Sequence, residues 1–103
     1  MISPPYRKAL EKAFHDLHGC TAKYLETVPV IERWQGKTVW EGEVEVFELI
    51  GHPKASKGYA WAYDKSKGPG SEIVAVLELP PVISPKTAVQ VSIVGKMREQ
   101  SRN

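Results

Sequence analysis

The sequence predicts an α+β roll, an N-terminal helix packed on a mostly antiparallel sheet of four to five strands, and three observations carry that prediction. Apolar residues recur at helical spacing over the first twenty positions and at a period of two over most of the rest. Gly and Pro fall between these periodic segments, where chain breakers belong. The order of one helix followed by strands joined through short connections favours neighbouring strands that run antiparallel. At 103 residues, with 42% hydrophobic and 25% charged side chains, the chain fits a single domain over 1–103, small enough to gain from a partner subunit.

The helix begins at Ser3 as N-cap, with Pro4 and Pro5 in its first turn, and Gly19 ends it. Tyr6, Ala9, Leu10, Ala13, Phe14 and Leu17 fall within an arc of about 140° at 100° per residue, a stripe wide enough to lie on a sheet. Glu11, His15 and His18 share the opposite side. Residues 21–33 read as extended, with a bend at Val28 and Pro29, because Tyr24, Leu25, Val28, Val30 and Ile31 cannot share one strand face. Pro29 lacks an N–H, which confines it to an edge or a bulge. Residues 34–37 form a turn into the most regular strand, 39–50, in which Gly42 marks a bend.

In that strand Trp40, Val44 and Val46 face one side and Glu41, Glu43 and Glu45 the other, but Phe47 and Leu49 then continue on the glutamate side. The change of phase requires either a bulge near Val46 and Phe47 or a cover over the second face at this end only. Residues 57–64 form a strand with Tyr59, Trp61 and Tyr63 on one face and Gly58, Ala60 and Ala62 on the other, the small face inviting close approach of a helix. Residues 73–79 are apolar on both faces, with Val74 and Val76 on one, and read as a central strand. Pro80 and Pro81 end it. Residues 87–94 alternate Val89, Val91 and Ile93 with Gln90 and Ser92 and read as a last strand, followed by a polar tail over 96–103 that is a helical turn or disordered.

The dimensions of such a fold point to an assembly. Five strands at roughly 4.8 Å spacing span about 24 Å, and one helix with its side chains covers about 10 Å. Tyr59, Trp61, Tyr63, Val74 and Val76, with Trp40, are then surface for a second copy to bury, which makes a homodimer or higher homo-oligomer the expectation. The formal charge is +2, with six basic against eight acidic residues in 1–50 (net −2) and eight against four in 51–103 (net +4), a distribution that helps strands within one subunit attract. The single cysteine, Cys20, excludes a disulfide within the chain. No apolar run approaches the roughly 20 residues of a membrane span, and the expected location is the cytoplasm, with no membrane partner.

Gly51 to Ala55 (GHPKA), Tyr59 to Tyr63 (YAWAY), Leu77 to Val82 (LELPPV) and Ser84 to Val89 (SPKTAV) resemble a group of short uncharacterised bacterial proteins, of the type carried on mobile integron gene cassettes. The resemblance implies a prokaryotic, compact, oligomeric protein and brings no catalytic residues with it.

No catalytic, cofactor or metal signature is present, and each chemical candidate has a plainer explanation. Glu11, His15 and His18, with Cys20 beyond them, carry zinc-ligand side chains at an unrecognised spacing and read better as a solvated helix face. Glu41, Glu43 and Glu45 stand about 7 Å apart in alternation, a separation that paired acid and base groups use, and read better as a wet strand face that discourages aggregation. His52 is the lone candidate base, with Lys54 and Lys57 nearby, and reads better as a turn residue. Gly68, Pro69 and Gly70 read as a loop, because the proline lacks the N–H of a phosphate cradle. Three classes of function follow. A homo-oligomeric binding module with a pocket or groove at or near the interface leads. A single-stranded nucleic-acid binder is second, stacking bases on Tyr59, Trp61 and Tyr63 between Lys54, Lys57, Lys65 and Lys67. A small enzyme in a helix-and-sheet cone is third, and it would require His52 or one of the glutamates to be buried with a shifted pKa.

Overall fold

The computed structural model describes residues 3–64 and 71–101, with side chains through Ala62 and from Ile73 to Ile93. The order is α1 (Pro4–His18), β1 (Thr21–Trp34), β2 (Lys37–Ile50), β3 (Lys57–Asp64), β4 (Ser71–Leu77) and α2 (Pro85–Ser101). The four strands form one antiparallel sheet in the order β1-β2-β3-β4. The chain is an α+β fold with α1 on one face of the sheet and α2 on the other.

α1 starts where its prolines place it. The Arg7 amide donates to the Ser3 carbonyl at 2.9 Å, and Gly19, at φ 66°, lets its own amide return to the His15 carbonyl. Leu10 and Phe14 are fully buried among Ala22, Phe47, Leu49, Ala60 and Ala75. Leu17 is a correction: it lies on the apolar arc yet is 63% exposed, because a wheel gives direction around the axis and not how far the sheet extends along it.

The small face of β3 receives this helix. A Cβ built on Gly58 would stand 2.5 Å from the Phe14 ring, so the ring occupies the space a side chain would need. Gly42 is different from its expectation as a bend: β2 continues through it, and its missing side chain makes room for the Trp40 indole, 3.0 Å from the position of a Cβ.

The change of phase in β2 is explained by the cover. Val44 and Val46 face α2, while Phe47 and Leu49 face α1, which reaches this end of the sheet. The bulge lies in the neighbouring strand, where Leu25 is the extra residue between the pairs Tyr24–Phe47 and Glu26–Val46. It turns β1 over: Ala22 and Tyr24 face α1, whereas Val28 and Val30 face α2. The expected bend at Val28 and Pro29 is therefore replaced by a bulge at Leu25, and Pro29 sits in continuous strand opposite Glu43 on the sheet's edge. Gln35 (φ 51°) and Gly36 (φ 78°) make the hairpin turn, with positive φ at both positions as a type I′ turn requires.

Two further expectations are overturned. β4 is an edge strand, not a central one, and its apolar residues on both sides answer to a helix on each face; His18 Nε2 meets the Ala75 carbonyl at 2.9 Å. Residues 87–94 are helix, not strand, and α2 continues to Ser101 through the expected polar tail. Ser84 and Thr87 form reciprocal caps, the Ser84 amide donating to Thr87 Oγ1 at 2.9 Å and the Thr87 amide to Ser84 Oγ at 3.2 Å, with Pro85 opening the first turn. Ala88, Val89 and Ile93 meet the sheet at helical spacing, and Val91, which the alternation places inward, is 39% exposed. Among the described residues no helix is long and apolar enough to cross a membrane.

Candidate functional site

α2 changes the meaning of the aromatic strand face. Tyr59 and Trp61 are 2% and 3% exposed, packed with Val30, Val44, Val46, Val82, Ala88 and Val89. Trp40 meets Trp61 edge to face at 5.9 Å, and Val74 and Val76 border the same cluster. Tyr59 and Trp61 are thus core of a single chain, not surface held for a second copy, while Trp40, Val74 and Val76 are partly buried at its margin. A single helix would leave this face bare, and the second helix lies where a strand was expected. Tyr63 stands opposite Glu72 in the ladder, and its side chain lies outside the described residues, as do Lys65, Lys67 and the Gly68-Pro69-Gly70 loop. The Tyr59 hydroxyl donates to Glu78, and burial together with that carboxylate raises it far above an ordinary phenol.

The other candidates separate in space. His52 Nδ1 accepts from the amides of Lys54 at 3.0 Å and Ala55 at 2.9 Å, so its lone pair shapes the turn and is not free to act as a base. His18 reaches the Ala75 carbonyl, Glu11 lies 3.7 Å from Arg7, and His15 lies 3.5 Å from Asp16. Cys20 is buried with its thiol toward the Phe14 carbonyl, and burial pushes that thiol up. Among the described residues no three metal-ligating side chains converge.

The bulge at Leu25 builds something that no periodic pattern announces. Tyr24 and Thr27 are three residues apart and would face opposite ways in a regular strand; the extra residue puts both on the α1 side. There the Tyr24 hydroxyl lies 2.6 Å from Thr27 Oγ1, and Thr27 donates to Glu45 on β2. Glu45, expected on a wet face, is 4% exposed. Burial raises its pKa, the Thr27 bond pulls it back in part, and neighbouring Glu43 adds to the rise. Tyr6 of α1 borders the same place: burial raises its phenol, the backbone of Ala62 offsets this in part, and Glu45 and Glu43 add to it. The relay Tyr24, Thr27, Glu45 can hold a proton in a dry setting. Glu41 and Glu43 beside it are exposed.

A group whose folded pKa is raised binds its proton more readily in the folded state. Its contribution to stability is fully present below the unfolded value, here about 4.5, and is lost as pH rises through the higher folded value. Glu45→Gln removes this loss. The variant should match wild type near pH 4 and exceed it at pH 7 to 8, read by thermal unfolding across that range.

Beyond the relay the β1–β2 hairpin projects as an arm. Among the described residues β3 pairs with β2 from Glu45 to Glu48, and residues 37–44 have β1 alone as sheet neighbour. On the α2 side of the arm, Glu32 is tied to α2, with Gln90 Nε2 donating to its Oε1 at 3.1 Å and Lys86 Nζ at 3.9 Å. The α1 side presents Pro29, Ile31 and Arg33 from β1 beside Thr38, Glu41 and Glu43 from β2, all exposed. Of the eight large hydrophobic residues exposed among the described residues, Leu25, Ile31, Trp34, Val39 and Ile50 belong to this hairpin. Sequence reading missed Ile31, Arg33 and Thr27, and the broken phase at Tyr24 and Leu25 was the available signal for them. No protein-family model, curated protein or solved structure matches this chain.

Proposed function

We propose that this chain is a homo-oligomeric interaction module in which two copies associate through the α1-side faces of their β1–β2 arms, with a binding groove where the arm meets the Glu45 relay. On that face the exposed Pro29 and Ile31, flanked by Arg33, Glu41 and Glu43, carry this reading. Its charges support self-pairing. Along the arm the order is Glu43 opposite Pro29, then Glu41 opposite Ile31, then Arg33 toward the tip. A two-fold axis through Ile31 sets Ile31 on its counterpart and brings Arg33 of each copy over Pro29 of the other, beside Glu43, an isologous contact that is complementary to itself. The groove beside it would be bordered by Glu43, Glu45 and Tyr6. The cytoplasmic setting and the bacterial cassette origin belong to the same proposal.

The experiment is a charge exchange followed by mass in solution. Arg33→Glu and Glu43→Arg should each weaken association by about tenfold or more, and the double variant should recover it. A wild type that stays monomeric at high concentration, or a double variant no better than either single one, would remove the arm as the interface.

A further inference from the structure

The α2 side of the arm carries two indoles and a sheltered carboxylate. There β1 places Val30, Glu32 and Trp34 in succession, and β2 sets Trp40 opposite Glu32 and Lys37 opposite Trp34. Val30 belongs to the core under α2, whereas Trp34 is 61% exposed. The Trp40 indole lies over Gly42 and meets Trp61 edge to face at 5.9 Å, which leaves it half-buried. Trp34 is the diagonal neighbour of Trp40, a relation that sets side chains about 7–8 Å apart across a strand pair. Glu32 stands next to both and is 8% exposed. Its Oε1 takes the Gln90 amide at 3.1 Å and lies 3.9 Å from Lys86 Nζ. Its Oε2 has no bond to a described residue. That oxygen is not sealed in, since Arg7 Nε is the only side-chain atom buried without a partner among the described residues. An acceptor is therefore open to solvent beside an open indole, with an amide and a cation at hand.

We propose that Trp34, Trp40 and Glu32, with Gln90 and Lys86, form a binding site for a neutral, β-linked oligosaccharide. The charges select the class of ligand. A cation would meet Lys37 and Lys86, and an anion would meet Glu32. A wholly apolar ligand would strip water from Glu32 Oε2 and give nothing in return. A hydroxyl group, by contrast, donates to Oε2 and accepts from Lys86 Nζ. Sugar rings with equatorial substituents present axial C–H bonds on both faces, a flat apolar surface that gains dispersion contact over an indole. Trp34 supplies the platform, Trp40 the wall, and Glu32 with its neighbours the contacts to hydroxyls. This face of the arm is opposite the one assigned to self-association, and the site does not rest on that pairing.

A titration with cellohexaose, followed through the indole N–H resonances, tests the site. In the wild type the Trp34 signal should shift and saturate, Trp40 should respond less, and the buried Trp61 should stay in place. Trp34→Ala changes an exposed position at the arm's tip and should lower the affinity by about tenfold. Glu32→Gln keeps the shape of the side chain and removes the charged acceptor, and should weaken binding by about fivefold. A wild type whose Trp34 signal does not move up to the solubility of the sugar would overturn the site, as would a Trp34→Ala variant that binds as well as wild type. A Trp34 response to tetramethylammonium with none to cellohexaose would overturn the carbohydrate in favour of an organic cation.

Discussion

Gly58→Ala is expected to destabilise the fold by about 1–3 kcal/mol, the range for overpacking a closed core, although the new group is a single methyl. Its carbon would lie 2.5 and 2.8 Å from two atoms of the Phe14 ring and 3.2 Å from Leu49. The ring has little room to withdraw: Phe14 is fully buried, and it packs against Phe47 with centroids 5.4 Å apart. Relief requires α1 to lift from β3 or Phe14 to leave its rotamer, and either disturbs the whole α1-side core. Phe14→Leu in the same background makes space at the point of collision, so the double variant should lose less than the two single losses added together. Urea unfolding of the four proteins reads this coupling directly. Additive losses would mean that Phe14 does not occupy the Gly58 slot.

Trp61→Glu should have the larger effect and abolish the native fold, because it puts a carboxylate among Val44, Tyr59, Val82 and Val89, with no cation in that cluster among the described residues. A Trp deletion in a core already costs about 3–5 kcal/mol, comparable with the whole stability of a small domain. Had the aromatic face been an interface between copies, the same change would yield a folded monomer. Circular dichroism therefore separates the two arrangements: loss of the cooperative transition follows from burial within one chain, and an intact transition with halved mass follows from burial between chains. Trp61→Phe, which keeps an aromatic ring, should remain folded.

The parts legible in the sequence were those in which local pattern and tertiary environment agree. α1 carried its start and stop in Ser3, Pro4 and Gly19, and the close approach of that helix was foreseeable from Gly58, Ala60 and Ala62. The hairpin at Gln35 and Gly36 was likewise visible. α2 was not, because Val89, Val91 and Ile93 alternate as a strand does and are β-branched, while the information that decides the matter lies upstream in Ser84, Pro85 and Thr87. Packing of Ala88 and Val89 against the sheet then overrides a weak intrinsic preference. That one misread element moved the expected site, since the missing helix is what buries Tyr59 and Trp61.

The Glu45 relay was illegible for a different reason. Alternation placed Glu45 on the same side as Glu41 and Glu43, and so it is. Burial along one face of a strand depends on what lies above each position, and only the inner end of this face is next to α1 and to the Tyr24 and Thr27 pair that the bulge creates. A period of two assigns a face. It does not say where the cover ends.

The most direct test of the central claim, that each sheet face is closed by a helix of its own chain and association is left to the arm, is acrylamide quenching of Trp61 as the only tryptophan, in a Trp34→Phe, Trp40→Phe background, over a dilution series that crosses any self-association. Burial within the chain predicts fluorescence that is poorly quenched at every concentration, including those where the protein is monomeric. Quenching that rises as the protein is diluted would contradict it, and would return the aromatic face to the surface between copies.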